Sequence, residues 1–290
     1  MVKSYFKLLR TSQWIKNTFI FVPLIFSKHL FDYNFFKIVL LGFIAFSLLT
    51  SIVYIFNDLI DIESDKLHPV KKFRPITSGK ISKKNATITA IIIALILSAM
   101  LPLFNIEFDL VLLSYLILNL FYSLIFKYIV LLDIFSIATG FMLRVIAGAY
   151  IIDIYISSWL ILTTMFISLF LAIMKRQSEL KLLEQEQDKN STRHVLSSYS
   201  LEFTNQMATI TASGVIICYA LYSVAQRTIS IFKTEDLIYT TPFVVFGIFR
   251  YMYLVYIGKK GENTTEIMLS DIPMIINFFL YLIITILIIY

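Results

Sequence analysis

Residues 36–65 read FKIVLLGFIAFSLLTSIVYIFNDLIDIESD. From 36 to 56 the only charge is Lys37; then four carboxylates follow within eight positions. A bilayer core takes about 20 mostly apolar residues per helix, so 36–56 reads as a membrane-spanning helix that ends in acid. At 100° per residue, Asp58, Asp61 and Asp65 lie within about 60° of one another on a continuing helix, and Glu63 points away. Like charges on one helical face repel, and at a membrane edge they are also partly stripped of water. A cation among them relieves both costs. Hard oxygen ligands with no Cys or His nearby fit Mg²⁺, or Mn²⁺, and not zinc. The spacing is not that of an EF-hand, which alternates its ligands and needs a central Gly. The plainer reading is a solvated helix end, but a merely soluble end need not put its acids on one face.

The rest of the chain agrees with a membrane setting. Of 290 residues, 58% are hydrophobic and 15% charged, against about 45–50% and about 25% in an average soluble domain. That composition excludes a soluble enzyme. It also excludes a disordered or nucleic-acid-binding chain, despite the net charge of +6. One cysteine, Cys218, excludes a disulfide framework.

Eight further apolar stretches accompany 36–56: 17–33, 86–104, 109–126, 131–152, 156–174, 204–226, 239–257 and 272–290. The first is interrupted by Pro23, Lys28 and His29, and no small-residue cleavage site marks it as a signal peptide. The runs are continuous and do not alternate, so an outer-membrane barrel is excluded. The expectation is an all-α, polytopic bundle of nine transmembrane helices forming one domain, residues 1–290. With the N-terminus in the cytoplasm, 19 of the 25 Lys and Arg residues fall on the cytoplasmic side. Only Lys28, Lys37, Arg227 and Lys233 fall outside, and Arg144 and Arg250 lie within spans. Positive charge collects inside, which places the C-terminus outside in an inner (cell) membrane. The long cytoplasmic loops, about 57–85 and 175–203, are expected to cap a site.

Basic residues follow the acids directly: Lys66, Lys71, Lys72 and Arg74-Pro75, then Ser78-Gly79-Lys80. An acidic cluster beside a basic one suits a metal-bound diphosphate, with the metal bridging phosphates and Lys or Arg neutralising the remaining oxygens. Lys71 and Arg74, nearest the acids, are the candidates for that contact. Lys80, Lys83 and Lys84 read as ordinary positive-inside charge. His29, His68 and His194 form no metal set. No base is spaced to activate a serine.

The pattern Asn57-Asp58-x-x-Asp61-x-x-x-Asp65, closing the second span and followed by Arg74-Pro75-x-x-Ser78-Gly79, resembles the UbiA-type intramembrane prenyltransferase superfamily. Further blocks are similar to its decaprenyl-phosphate phosphoribosyltransferase branch. These are Gln13-Trp14-Ile15-Lys16-Asn17, Tyr122-Ser123-x-x-x-Lys127, Asp133, Gly140-Phe141-x-Leu143-Arg144-x-x-Ala147-Gly148, and Lys175-Arg176-x-x-Glu179-Leu180. The resemblance runs from about residue 10 to about 275. Most aromatic prenyltransferases of the superfamily carry a second Asp-rich motif after helix 6. Here Lys175, Arg176 and Glu179 stand in its place, which favours a donor with additional phosphate over a prenyl diphosphate held between two acidic sites.

The resemblance implies Mg²⁺-dependent transfer of a 5-phosphoribosyl group from phosphoribosyl diphosphate to a polyprenyl phosphate, releasing pyrophosphate. Asp58, Asp61 and Asp65 would be the catalytic metal-binding residues, supported by Asn57. Lys16, Asn17, Lys71, Arg74, Lys127, Lys175 and Arg176 would meet the substrates. Tyr122 would hydrogen-bond a phosphate or ribose oxygen, or else anchor the interface. Glu179 would bind metal or a ribose hydroxyl. Arg144, a costly charge in mid-span, would reach an anion or pair with an acid such as Asp133. A phosphate acceptor is already anionic, so no strong general base is needed. The alternatives are a prenyltransferase using a polyprenyl diphosphate, and an ion or phosphate transporter. Transporters usually keep their ionisable groups at the midplane, whereas here they gather at one edge.

Overall fold

The computed structural model describes residues 2–67, 70–185, 196, 198–257 and 270–290, and every regular element among them is helical. Eight long helices dominate: α1 (Tyr33–Ile60), α2 (Lys83–Met100), α3 (Ile106–Leu124), α4 (Leu132–Tyr150), α5 (Ser158–Gln185), α6 (Leu201–Val224), α7 (Thr241–Tyr256) and α8 (Ile272–Ile289). With the 3₁₀ turns that extend α2 and α7, each is long and apolar enough to cross a bilayer. Side-chain caps start several of them. Asp32, Ser82, Asn105, Ser200 and Asp271 each accept a backbone N–H of the first turn.

The expected first span, 17–33, is not a long α-helix. It is built from an eleven-residue 3₁₀ segment, Thr11–Phe21, and a single α turn, Val22–Ile25. Pro23 has no N–H to offer the Phe19 carbonyl and its ring crowds that position. The Phe19 carbonyl is taken instead by the N–H of Val22. The 3₁₀ rise of about 2 Å per residue lets a short stretch travel far. Its start lies by Asp58, at the C-terminal end of α1, where Arg10 pairs with that carboxylate. Its far side lies by Leu30, whose N–H donates to the Tyr290 hydroxyl. The segment therefore runs from one end of the bundle to the other, and the C-terminus stands at the opposite end from the acids.

The helix expected to stop at 174 runs on to Gln185. The residues that carry it past the apolar stretch (Arg176, Gln177, Glu179, Leu180 and Lys181) are strong helix formers. Lys175, Arg176 and Glu179 thus sit on a rigid helix and not in a loop. Residues 186–195 and 197 of the expected second cap lie outside the described residues, as do His68, Lys259 and Lys260.

Two cores carry the bundle. Ile20, Phe46, Phe108, Tyr115 and Ala147 join the 3₁₀ segment to α1, α3 and α4. Ile134, Phe170, Ile173, Val215 and Tyr251 join α4 to α5, α6 and α7. α4 is shared by both, and small residues let neighbours approach it. A Cβ on Gly148 would collide with the backbone carbonyl of Ile20, whereas one on Gly42 would meet only the tip of Ile151 and the Phe108 ring. Gly148→Ala should therefore lower the thermal unfolding midpoint of the detergent-solubilised protein, by the equivalent of about 1–3 kcal/mol for overpacking. Gly42→Ala should lower it less, because a side-chain tip can move where a backbone cannot.

Candidate active site

α1 stops inside the acidic motif. Asp61 leaves the helical region (φ −87°, ψ 10°), and a short helix, Ile62–Leu67, continues in a new direction. The break divides the carboxylates expected on one face. Asp58 and Asp65 stay together: Nη1 of Arg74 donates to Asp58 Oδ1 at 3.1 Å and to Asp65 Oδ2 at 2.5 Å. Asp61 turns to Lys127, whose Nζ donates to it at 2.7 Å. Among the described residues, no three acidic, His or Cys side chains lie close enough to share an ion. The expected trio is thus a pair plus one. Next to Asp58 in sequence, Asn57 has a buried Oδ1 with no hydrogen-bond partner among the described residues. Two carboxylates already bridged by one cationic atom suit a hard divalent cation, and Asn57 offers an unused hard oxygen.

Each counter-cation is set by local backbone. Arg74 follows the 3₁₀ turn Lys71–Phe73, where Lys71 is half-buried, and its carbonyl accepts both the N–H and the hydroxyl of Ser78. Lys127 lies on the 3₁₀ turn Phe126–Tyr128 and is buried. Arg10 takes a left-handed conformation (φ 50°) between the short helix Val2–Leu8 and the 3₁₀ segment. It pairs with Asp58 and stacks on the Tyr54 ring at 4.6 Å. Arg10 was not among the residues singled out from the sequence. In an N-terminal tail it looks like any positive-inside charge, and nothing local marks it as the partner of an acid 48 positions away.

Just deeper, Lys16 is half-buried, with no hydrogen bond or ion pair among the described residues; its neighbouring charges are Arg144 and Arg10. Arg144 is buried and closed into a network. Nε donates to Asn17 Oδ1 at 2.7 Å, Nη1 to the Gly140 carbonyl at 2.7 Å and Nη2 to the Tyr115 hydroxyl at 2.9 Å. The Phe46, Tyr115 and Phe141 rings surround the guanidinium within 5.4 Å. Asn17 is wholly buried, and its Nδ2 donates to Ser47 and Thr50. Arg144 and Asn17 therefore tie the 3₁₀ segment, α1, α3 and α4 together and present no open surface to a ligand. Asp133 is not the partner of Arg144.

Asp133 pairs instead with Arg176, Nε to Oδ2 at 2.7 Å, and both are buried. Arg176 also donates to Glu179 at 2.5 Å, and Lys175 reaches Glu179 at 3.9 Å. The Tyr199 hydroxyl donates to Asp133 Oδ1 at 2.7 Å and accepts the N–H of Leu131, a residue held at φ 68°. Burial, with Asp133 alongside, pushes the Tyr199 hydroxyl well above its ordinary range, so it stays a donor. Arg176 Nη2 is buried without a partner among the described residues, and half-buried Tyr122 is one of the groups acting on this guanidinium. The expected substrate contact through Arg176 is thus a structural lock between α4 and α5 with one donor to spare. Arg250 is structural too, bound in a fork by Asp271 at 3.0 and 2.9 Å.

Residues 18–283 match the model of the UbiA prenyltransferase family. The chain belongs to that family. A decaprenyl-phosphate phosphoribosyltransferase of Mycolicibacterium smegmatis is 31% identical over 282 residues, 93% of this chain and 87% of that protein. One from Corynebacterium glutamicum is 32% identical over 91% of this chain and 80% of its own length. Among solved structures, a UbiA homolog from Archaeoglobus fulgidus bound to DMAPP and Mg²⁺ superposes with a TM-score of 0.73. It has 18% identity and covers 99% of both chains. The fold is thus that of an all-helical, integral membrane UbiA transferase. In it, Arg176→Met should be among the more destabilising changes outside the apolar core. It leaves Asp133 buried and unpaired, at about 3–5 kcal/mol. Lys175→Ala, at a partly exposed pair, should cost less than about 1 kcal/mol. Thermal unfolding in detergent checks both.

Proposed function

We propose that the chain transfers a 5-phosphoribosyl group from phosphoribosyl diphosphate to a polyprenyl (decaprenyl-type) phosphate and releases pyrophosphate. The site lies at the acid end of α1 and faces the cytoplasm across an inner membrane. The observation that carries this is an excess of cations beside a carboxylate pair. Lys16 has no acid partner among the described residues, Arg10 and Arg74 border Asp58 and Asp65, and Asn57 Oδ1 has no hydrogen-bond partner among them. That combination suits a metal diphosphate. The phosphoribosyl group and the decaprenyl phosphate are in the names of the Mycolicibacterium and Corynebacterium relatives above. The absence of a second Asp-rich motif, with Lys175, Arg176 and Glu179 in its place, agrees with them.

Asp58, Asp65 and Asn57 would hold Mg²⁺. A bound Mg²⁺ supplies positive charge to the departing pyrophosphate. Lys16 and Arg74, with Lys71 nearby, would bind the phosphate oxygens and keep them fixed as negative charge builds there. Lys127 would position Asp61. The ribose C1–oxygen bond breaks, and pyrophosphate leaves with the electron pair. A phosphate oxygen of the lipid then bonds C1, which carries oxocarbenium character between the two events. The acceptor is anionic, so no proton needs to be removed, consistent with a described part of the site that holds no His or Cys base. Loop 57–85 would cap the water-facing side, while the lipid enters from the bilayer.

Purified protein with Mg²⁺, labelled phosphoribosyl diphosphate and polyprenyl phosphate should yield lipid-linked label. Label arriving only from a prenyl diphosphate would support prenyl transfer instead, and vesicle uptake without product would support transport. Asp58→Asn should lower the transfer rate by about 10²–10³-fold, the scale of losing one main electrostatic stabiliser. Near-normal transfer by a folded Asp58→Asn variant would contradict the assignment.

A further inference from the structure

We propose that Arg10 and Arg74 are exchangeable ligands that hold the carboxylates in the empty enzyme and pass to the donor's diphosphate when a metal arrives. Metal and diphosphate would then bind together, and metal alone would bind weakly. The inference rests on the functional reading above and adds Arg10 to the residues that touch the donor.

Position comes first. The Asp58 side chain is 1% exposed, while those of Arg10 and Arg74 are 22% and 23% exposed. The two guanidinium groups therefore stand between the carboxylate and the open face, and a metal reaching Asp58 must displace them. Arg74 Nη1 already fills the point between Asp58 and Asp65 that a bridging ion would take. The backbone behind Arg10 is fixed. Leu8 is fully buried, the Leu9 carbonyl accepts the Ser51 hydroxyl at 2.9 Å, and Trp14 Nε1 donates to that hydroxyl at 3.1 Å. Exchange therefore needs only side-chain rotation.

Charge supplies the coupling. Arg10, Arg74 and Lys127 face Asp58, Asp61 and Asp65, three positive charges against three negative, and Lys16 stands near Arg10. A divalent ion alone frees both guanidinium groups and leaves the cluster at about +2. Uncompensated charge at this depth is costly. A diphosphate ester carries about three negative charges and accepts guanidinium groups in a fork. By linkage, each ligand must raise the affinity of the other by the same factor.

Calorimetry on the full chain in detergent tests this, titrating Mg²⁺ alone, pyrophosphate with a chelator, and preformed magnesium pyrophosphate. The wild type should bind the complex at least about tenfold tighter than either component. Removing one charge-assisted contact on each side should make Arg10→Gln bind Mg²⁺ alone about three- to tenfold tighter and magnesium pyrophosphate about tenfold weaker. Arg10→Lys should fall between. Opposite movement of the two affinities is something a merely structural residue would not produce. If Mg²⁺ affinity is unchanged in Arg10→Gln, or if both ligands weaken in both variants, the exchange is overturned. Asp58→Asn separates the two claims. If it keeps wild-type Mg²⁺ binding, the metal assignment itself fails. If it loses Mg²⁺ while Arg10→Gln is unmoved, only the exchange fails.

Discussion

One guanidinium nitrogen of Arg74 lies between the carboxylates of Asp58 and Asp65, and the constraint behind that contact governs the whole molecule. A charge at bilayer depth needs a partner. Asp133 has Arg176, Asp271 has Arg250, and Asp61 has Lys127. Arg144 is the exception that still obeys the rule. It has no acid partner among the described residues, and its charge is spread over an amide oxygen, a carbonyl, a hydroxyl and three aromatic rings. Lys16 has neither kind of support among the described residues, and it stands near Arg10, which pairs with Asp58.

The same network explains how the site is held. The 3₁₀ segment carries Lys16 and Asn17 and follows directly on Arg10, and it is pinned twice. Its carbonyl at Ile20 seats against Gly148, and its Asn17 joins Ser47, Thr50 and Arg144. On the other flank, Tyr199 satisfies both Asp133 and the strained Leu131 backbone at the start of α4. α4 is thus fixed at both ends, against the 3₁₀ segment and against α5.

Most of this fold was legible in hydropathy, because a span needs only length and apolarity. Helices α1 to α8 fell close to the stretches read from the sequence. The first span did not, since Pro23 and contact with Gly148 select 3₁₀ geometry, and neither shows in a hydropathy profile. The acidic motif was legible as a motif but not in its shape. Co-facial spacing assumed an unbroken helix, and the turn at Asp61 divides the three acids. Arg74 and Lys127 lie in recognisable blocks, and the structure brings both to the acids. Arg10 and Tyr199 were missed because their meaning is tertiary: each acts on an acid far away in the chain. Arg176 was found for the wrong reason, since its position in the motif was readable and its burial against Asp133 was not.

What unites fold, site and activity is the claim that Asp58 and Asp65 hold a divalent ion where Arg74 now sits, with the freed cations turned to diphosphate. A structure of the protein with Mn²⁺ and pyrophosphate, read by anomalous scattering, tests it most directly. The account predicts a metal peak between Asp58 and Asp65, with Asn57 within coordinating distance and Arg74 moved onto the phosphates. A peak at Asp61 alone, or a bound pyrophosphate with Arg74 still bridging the two carboxylates, would contradict it.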